Sequence, residues 1–246
     1  MILLNGAPYS IIAPITLIDF LSSPEDKNLG QFFANFLKVL RFISALVTLL
    51  LPGLYIAVTS YHQEILPTEL LYSILASRQN VPFPLILELL VLEISFEIIR
   101  EAGLRVPSPL GSTIGIIGAI ILGQAAVSAG IVSPILIIIV AMTGIASYTI
   151  PDFSFGFHLR LFRFIFIILG FATGFLGIGL GLFCYISLLC SVKSFGVEYT
   201  LPYAPIVNAK GNGYLLFPIW KREFRTPFLD PKKKKYQDKI SMKWRM

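Results

Sequence analysis

Between Pro84 and Pro107 the chain reads PLILELLVLEISFEIIREAGLRVP, and nothing from Pro84 to Gly103 breaks a helix. At about 100° per residue, Glu93, Glu97 and Glu101 fall on one stripe. Arg100 borders that stripe, while Glu88 and Ser95 lie on roughly the opposite side. The other residues from Leu85 to Ile99 are all Leu, Ile, Val or Phe. Those eleven apolar residues favour membrane insertion by about 3–7 kcal/mol, whereas four carboxylates oppose it by roughly 10–14 kcal/mol. The acids win. Such a helix must be shielded by other protein, line water, or lie at the interface. Its stripe then reads either as a solvated or ion-paired face or as one wall of an ion pathway, since intramembrane acids are functional candidates by default.

The surrounding composition decides what kind of chain carries this helix. Hydrophobic residues make up 55% and charged ones 14%, with a mean hydropathy of +0.77. Several apolar runs exceed a buried core helix in length, which excludes an ordinary soluble domain and points to a polytopic membrane protein. The net charge of +6 is concentrated after Lys221, above all in Lys232 to Lys235. Beside a membrane domain, such a tail reads as a cytoplasmic, lipid-facing segment and not as a nucleic-acid site. Cys184 and Cys190 are six apart in an apolar helix, about 240° around its axis, so they cannot pair.

Residues 1–35 mix apolar letters with turn formers and suit a short strand or an interfacial segment better than a span. Ser22 or Ser23, followed by Pro24, Glu25 and Asp26, predicts a helix start. The first clear span runs from Phe42 to Thr59, with Lys38 and Arg41 at its cytoplasmic start. Pro52-Gly53 near its middle reads as an ordinary kink, with a hinge as the functional alternative. A short amphipathic piece, LLYSILASR, precedes the acidic helix. The second span (Thr113–Ala129) and the third (Pro134–Ile150) form a helical hairpin or a pair of partial spans. Gly111/Gly115, Ala119/Gly123 and Ala126/Gly130 obey small-xxx-small spacing, which lets backbones approach closely. Gln124, the one large polar side chain there, reads as helix glue first and as an ion contact second.

A short loop after Asp152 is expected to hold His158, Arg160 and Arg163. The run from Leu161 to Val192 reads as one long, tilted or kinked helix, two half-spans being the alternative. It carries GxxxG at Gly170/Gly174 and Gly177/Gly181. Four spans place both termini in the cytoplasm but leave Arg160 and Arg163 outside. Counting the acidic helix as a fifth crossing repairs that loop and moves the N-terminus out.

The expected fold is therefore an all-α, polytopic helical membrane protein, with about four full spans and one amphipathic acidic helix, re-entrant or pore-lining. Its domains are an N-terminal interfacial segment at 1–35, a helical membrane domain at 36–193 and a basic cytoplasmic tail at 194–246. Enzymatic chemistry has no foothold in these letters. His62 and His158 are isolated, HExxH, CxxC, GxSxG and Walker patterns are missing, and the aspartates lie outside the spans. Neither a metal nor a cofactor is expected.

Three long stretches occur in an order that resembles one family: LPGLYIAVTSYH (51–62), EISFEIIREAGLRVPSPLGSTIGIIGAIILGQAAVSAGIVSP (93–134) and KSFGVEYTLPYAP (193–205). NGAPYSIIAP (5–14), SPED (23–26) and PIWKREFRTPFLDPKKKK (218–235) extend the likeness over essentially the whole chain. The chain resembles the A subunit of GerA-type spore germination receptors. That resemblance implies a multi-pass protein of the spore inner membrane, partnered by a transporter-like B subunit and a lipoprotein C subunit. It implies a homo-oligomeric ring that passes monovalent cations, and it places Glu93, Glu97, Arg100 and Glu101 in the family's most recognisable helix. It also implies a soluble cytoplasmic domain ahead of this portion, so a fragment, a split gene or a misplaced start is expected. A non-conducting anchoring subunit is the rival reading. A secondary transporter is a third, suggested by the Gly-broken helices.

Overall fold

The computed structural model describes residues 2–3, 10–11, 13–105, 118, 123–206 and 214–216. These residues are mostly helical, in two compact units: Met1–Ile43, Ile150–Phe155 and Leu182–Met246 form one, Ser44–Thr149 and Gly156–Gly181 the other.

The first unit begins with strands β1 (Ile2–Leu3) and β2 (Ser10–Ile11), paired antiparallel. One-turn helix α1 (Leu17–Phe20) follows, its start closed by Asp19, which accepts from the N–H and hydroxyl of Thr16. The expected start at Ser23 is a 3₁₀ turn, Pro24–Lys27, with Ser23 as cap and Asp26 accepting from the Ser23 N–H at 2.9 Å. Strands β3 (Lys193–Ser194) and β4 (Val197–Glu198) form a tight hairpin. Its two turn residues, Phe195 and Gly196, both have positive φ, as a two-residue hairpin matched to strand twist requires. The Leu17 N–H donates to the Tyr199 carbonyl at 2.8 Å, and the Phe20 ring stacks on Phe155 and tilts against Tyr199.

Helix α2 (Gln31–Tyr61) is longer than the expected first span. At 31 residues it reaches about 46 Å, well beyond a bilayer core of about 30 Å. Its first turns stay in the first unit, where residues 214–216 are fastened to it. The Asn35 amide donates to the Leu216 carbonyl and accepts from the Leu216 N–H. Lys38 Nζ donates to the Tyr214 carbonyl at 3.0 Å, and the Tyr214 hydroxyl donates to the Lys38 carbonyl. Arg41 pairs with the buried Asp26 at 2.6 Å.

The second unit holds the rest of α2 together with α3 (Thr68–Arg78), α4 (Leu85–Arg105), α5 (Pro134–Tyr148) and, from Gly156 on, α6 (Phe153–Thr173). Its core is Ile56, Leu85, Leu89, Leu92, Leu136, Val140 and Ile167. Helices α2 and α6 cross at backbone contact. A Cβ on Gly53 would stand 2.6 Å from the Phe166 carbonyl oxygen, and one on Gly170 would stand 2.5 Å from that of Gly53. The α2 helix runs on through Pro52, so the candidate hinge Pro52-Gly53 is the place where a neighbouring helix presses closest.

The long run to Val192 is not one helix. It divides into α6 and α7 (Phe175–Ser191) at Gly174, whose φ of +63° is left-handed and ends a right-handed helix. The Tyr61 hydroxyl donates to the Phe171 and Ala172 carbonyls beside this break, and the His62 ring stacks on Phe175 at 4.6 Å. His158, Arg160 and Arg163 are also not in a loop. Asp152 caps α6 by accepting from the Phe155 N–H at 2.7 Å, which starts the helix early enough to include all three.

Among the described residues two helices, α2 and α6, are long and apolar enough to cross a membrane, while α5 and α7 are shorter apolar helices. At 15 residues, α5 reaches about 22 Å. Of the expected second span, only Gly118 and residues 123–129 are described, helical up to residue 128, and Gly111, Gly115 and Ala119 lie outside the described residues.

Candidate functional site

Helix α4 carries charges on more than one side, and they meet α3, α5 and α6. On one side the fully buried Glu88 accepts from Arg78 of α3 at 3.0 Å and from the Ser133 N–H, just before α5, at 3.1 Å. On the stripe side Glu93, fully buried, faces Arg163 of α6 at 2.6 Å, a pair of which 0% and 1% are exposed. One turn along, Glu97 receives the Arg160 Nε at 3.1 Å and lies 4.0 Å from Arg100. Two glutamates spaced i, i+4 on α4 thus meet two arginines spaced i, i+3 on an antiparallel α6. The result is a two-rung ladder.

Arg100 turns the other way. Its guanidinium donates to the Ser147 hydroxyl and the Gly144 carbonyl of α5 and lies 4.2 Å from the centre of the Tyr148 ring. A notch at Gly144 receives the Phe96 ring, where a Cβ would come within 2.5 Å of it. Glycine is required at that close approach.

The electrostatic consequence follows from Coulomb attraction in a low-dielectric site. Glu93 and Glu97 stand among Arg100, Arg160 and Arg163, so within this chain their negative field is cancelled where they sit. Glu101 is exposed at the end of the stripe, and Gln124 is exposed on its short helical stretch. Gly123 sits at ordinary contact distance from Ile137. Gly177 is crowded by Thr173 and Leu169 of the preceding helix, and Gly181 by Leu169 and Phe166. No group of His, Cys, Asp and Glu able to hold a metal ion occurs among the described residues.

Arg160 and Arg163 are the site residues that the letters concealed, because a loop seemed to hold them. The signal available was their spacing, which complements Glu93 and Glu97 once both segments are helical.

Residues 1–228 match the family described as Bacillus/Clostridium GerA spore germination protein. The chain belongs to the GerA family. Similar curated proteins include Spore germination protein KA of Bacillus subtilis (strain 168), 43% identical over 97% of this chain and 44% of that protein. Spore germination protein GerLA of Bacillus cereus is 40% identical over 91% of this chain and 44% of its own length. An uncharacterized membrane protein, YfkQ of Bacillus subtilis (strain 168), is 41% identical over 91% and 44%. This GerA-family chain therefore spans less than half the length of the curated relatives it matches. No solved structure matches it.

Proposed function

We propose that the chain is the membrane-embedded part of a spore germination receptor A subunit, working in a complex with B-type and C-type subunits in the spore inner membrane. The observation that carries this reading is its inverted burial. Glu88, Glu93, Arg100, Arg160 and Arg163 are inside, while Ile94, Ile98, Ile145, Leu161, Ile165 and Leu180 are exposed. A chain made for water would do the reverse. With the acids paired inside the protomer, the acidic helix is a cross-brace joining α3, α5 and α6, which suits a subunit that anchors partners and transmits a structural change. Residues 1–35 are then the membrane-surface entrance, 36–193 the membrane domain, and the Lys232–Lys235 run lies on the cytoplasmic leaflet. Deleting the coding segment should abolish the germination response of the spores that carry it, and restoring it should rescue the response. An unchanged response in the deletion overturns the reading.

A gated path for monovalent cations is the second reading, favoured by the part of the stripe that is not closed off. Glu97 keeps 27% of its side chain exposed and Glu101 is exposed one turn beyond. In a closed ring of protomers, symmetry would repeat these carboxylates around an axis and concentrate cations there. Glu97→Gln removes the charge and nearly keeps the shape. Reduced cation flux and weaker cation-over-anion selectivity in the assembled receptor support the path, and unchanged flux removes Glu97 from it.

A further inference from the structure

We propose that the arginines of the ladder, Arg163 together with Arg100 and Arg160, bind a small monovalent anion of the chloride class. The charge count comes first. Glu93 and Glu97 carry two negative charges, while Arg100, Arg160 and Arg163 carry three positive ones, since arginine keeps its proton inside proteins. Arg163 takes up Glu93 at 2.6 Å, and Arg160 takes up Glu97 at 3.1 Å. Arg100 is left 4.0 Å from Glu97 and otherwise rests on neutral groups: the Ser147 hydroxyl, the Gly144 carbonyl, and the Tyr148 hydroxyl and ring. One positive charge is in excess. The three arginine side chains are only 1–7% exposed, and an uncompensated charge in such a place is costly. Glu101 is exposed one turn beyond, where solvent and salt screen its field.

The second observation is a set of idle donors. Arg163 turns Nη2 toward Glu93, but its Nε and Nη1 have no acceptor among the described residues, and neither has Nη1 of Arg100. Buried N–H groups of this kind call for an acceptor. Oε1 of Glu93 and Oε2 of Glu97 are likewise without donors, so bridging water would satisfy hydrogen bonds on both sides. Water leaves the excess charge where it is, whereas an anion on the arginines cancels it. One excess charge asks for one negative charge, which a halide supplies and a divalent phosphate or sulfate overshoots. A halide also accepts from any direction, so it suits donors that come from two helices. Glu97 keeps 27% of its side chain exposed, which puts the ladder within reach of ions in solution. An anion held here makes the cross-brace neutral. The site is a property of the chain itself and does not depend on the receptor reading.

The full chain, purified in mild detergent and washed into sodium gluconate, should gain melting temperature saturably as chloride replaces gluconate at constant ionic strength. The chloride NMR line should broaden in its presence and sharpen again when bromide competes. Binding should then follow the charge count. Glu97→Gln raises the excess to two and should tighten chloride by about tenfold, the effect of one unit charge removed nearby in a poorly screened site. Arg160→Gln brings the excess to zero and should lose the response, whereas Arg160→Lys, which keeps the charge, should retain it. Glu97→Gln leaves every arginine in place, so it decides the matter even where Arg160→Gln fails to fold. Equal melting temperatures in the two salts, with no broadening, would mean that water alone fills the site, and would overturn it. So would a Glu97→Gln protein that binds chloride no tighter than the parent, or a folded Arg160→Gln protein that binds it as tightly. Normally responding spores of the deletion would remove the receptor reading and leave the anion site standing.

Discussion

At the scale of single residues, two ion pairs make different demands. Arg163→Ala would leave the Glu93 carboxylate buried without a counter-charge, a loss of about 3–5 kcal/mol. Replacing both by leucine should recover most of that loss, because an apolar pair avoids the desolvation of either charge. Thermal unfolding in detergent measures both, and a double variant as damaged as the single would show that the two side chains are not coupled. Asp26 with Arg41 adds a dependence on pH. Burial acts to raise the Asp26 pKa, but the Arg41 hydrogen bond, the Ser23 N–H, and the charges of Arg41 and Lys38 outweigh it and hold the carboxyl below its ordinary range. Its folded value is below the unfolded one of about 3.9, so the stabilisation is complete above that pH and is lost as pH falls through the folded value. Asp26→Asn should cost about 3 kcal/mol at neutral pH, the low end for a buried pair because Arg41 keeps 14% of its side chain exposed. The gap in melting temperature between parent and variant should close in strong acid, and a gap that stays constant would remove Asp26 as its source.

For the helices, the glycines separate into those that hold an approach and those that do not. Gly53→Ala would drive a methyl against the Phe166 carbonyl oxygen, a strain of about 1–3 kcal/mol shared by the α2–α6 crossing. Gly179 has nothing within 4 Å of its would-be Cβ, so Gly179→Ala should be neutral or gain up to about 1 kcal/mol from helix propensity. The melting temperature should fall in Gly53→Ala and stay level or rise in Gly179→Ala, and equal shifts would contradict the crossing. This contrast also marks how far the letters reach. Local signals were legible: the cap at Ser23, the bounds of α4, the short α3, and the placement of a helix across Phe42–Thr59. Each depends on residues within a turn or two of one another. The partner of Gly170 was not legible, because GxxxG spacing names no opposing helix, and that helix turned out to be α2 at Gly53. The break at Gly174 was hidden among glycines of equal appearance, and only its left-handed φ, beside the Tyr61 hydroxyl, distinguishes it. Likewise, Arg160 and Arg163 looked like loop charges until the Asp152 cap drew them into α6.

At the scale of the whole molecule, Glu88, Glu93, Arg100, Arg160 and Arg163 of the second unit lie inside while Ile94, Ile145 and Ile165 are exposed, which fits a lipid surround. Ile165 sits mid-way along α6 and is 48% exposed, so Ile165→Lys should weaken membrane insertion by about 2.5–3.5 kcal/mol. An insertion assay on membranes reads this, and full insertion of the variant would argue that α6 does not meet lipid. The fastening of residues 214–216 on α2 has a consequence in time. Asn35 and Leu216 are separated by 181 positions, and Lys38 and Tyr214 by 176. A ribosome delivers Lys38 long before the carbonyl that receives its ammonium exists. During synthesis that end of α2 must wait with its polar groups held by water or by the translocation machinery, and the unit closes only once nearly the whole chain has emerged. Chains ended by a stop codon before Tyr214 should therefore mature slowly and be degraded as unfinished, even with every membrane helix already made.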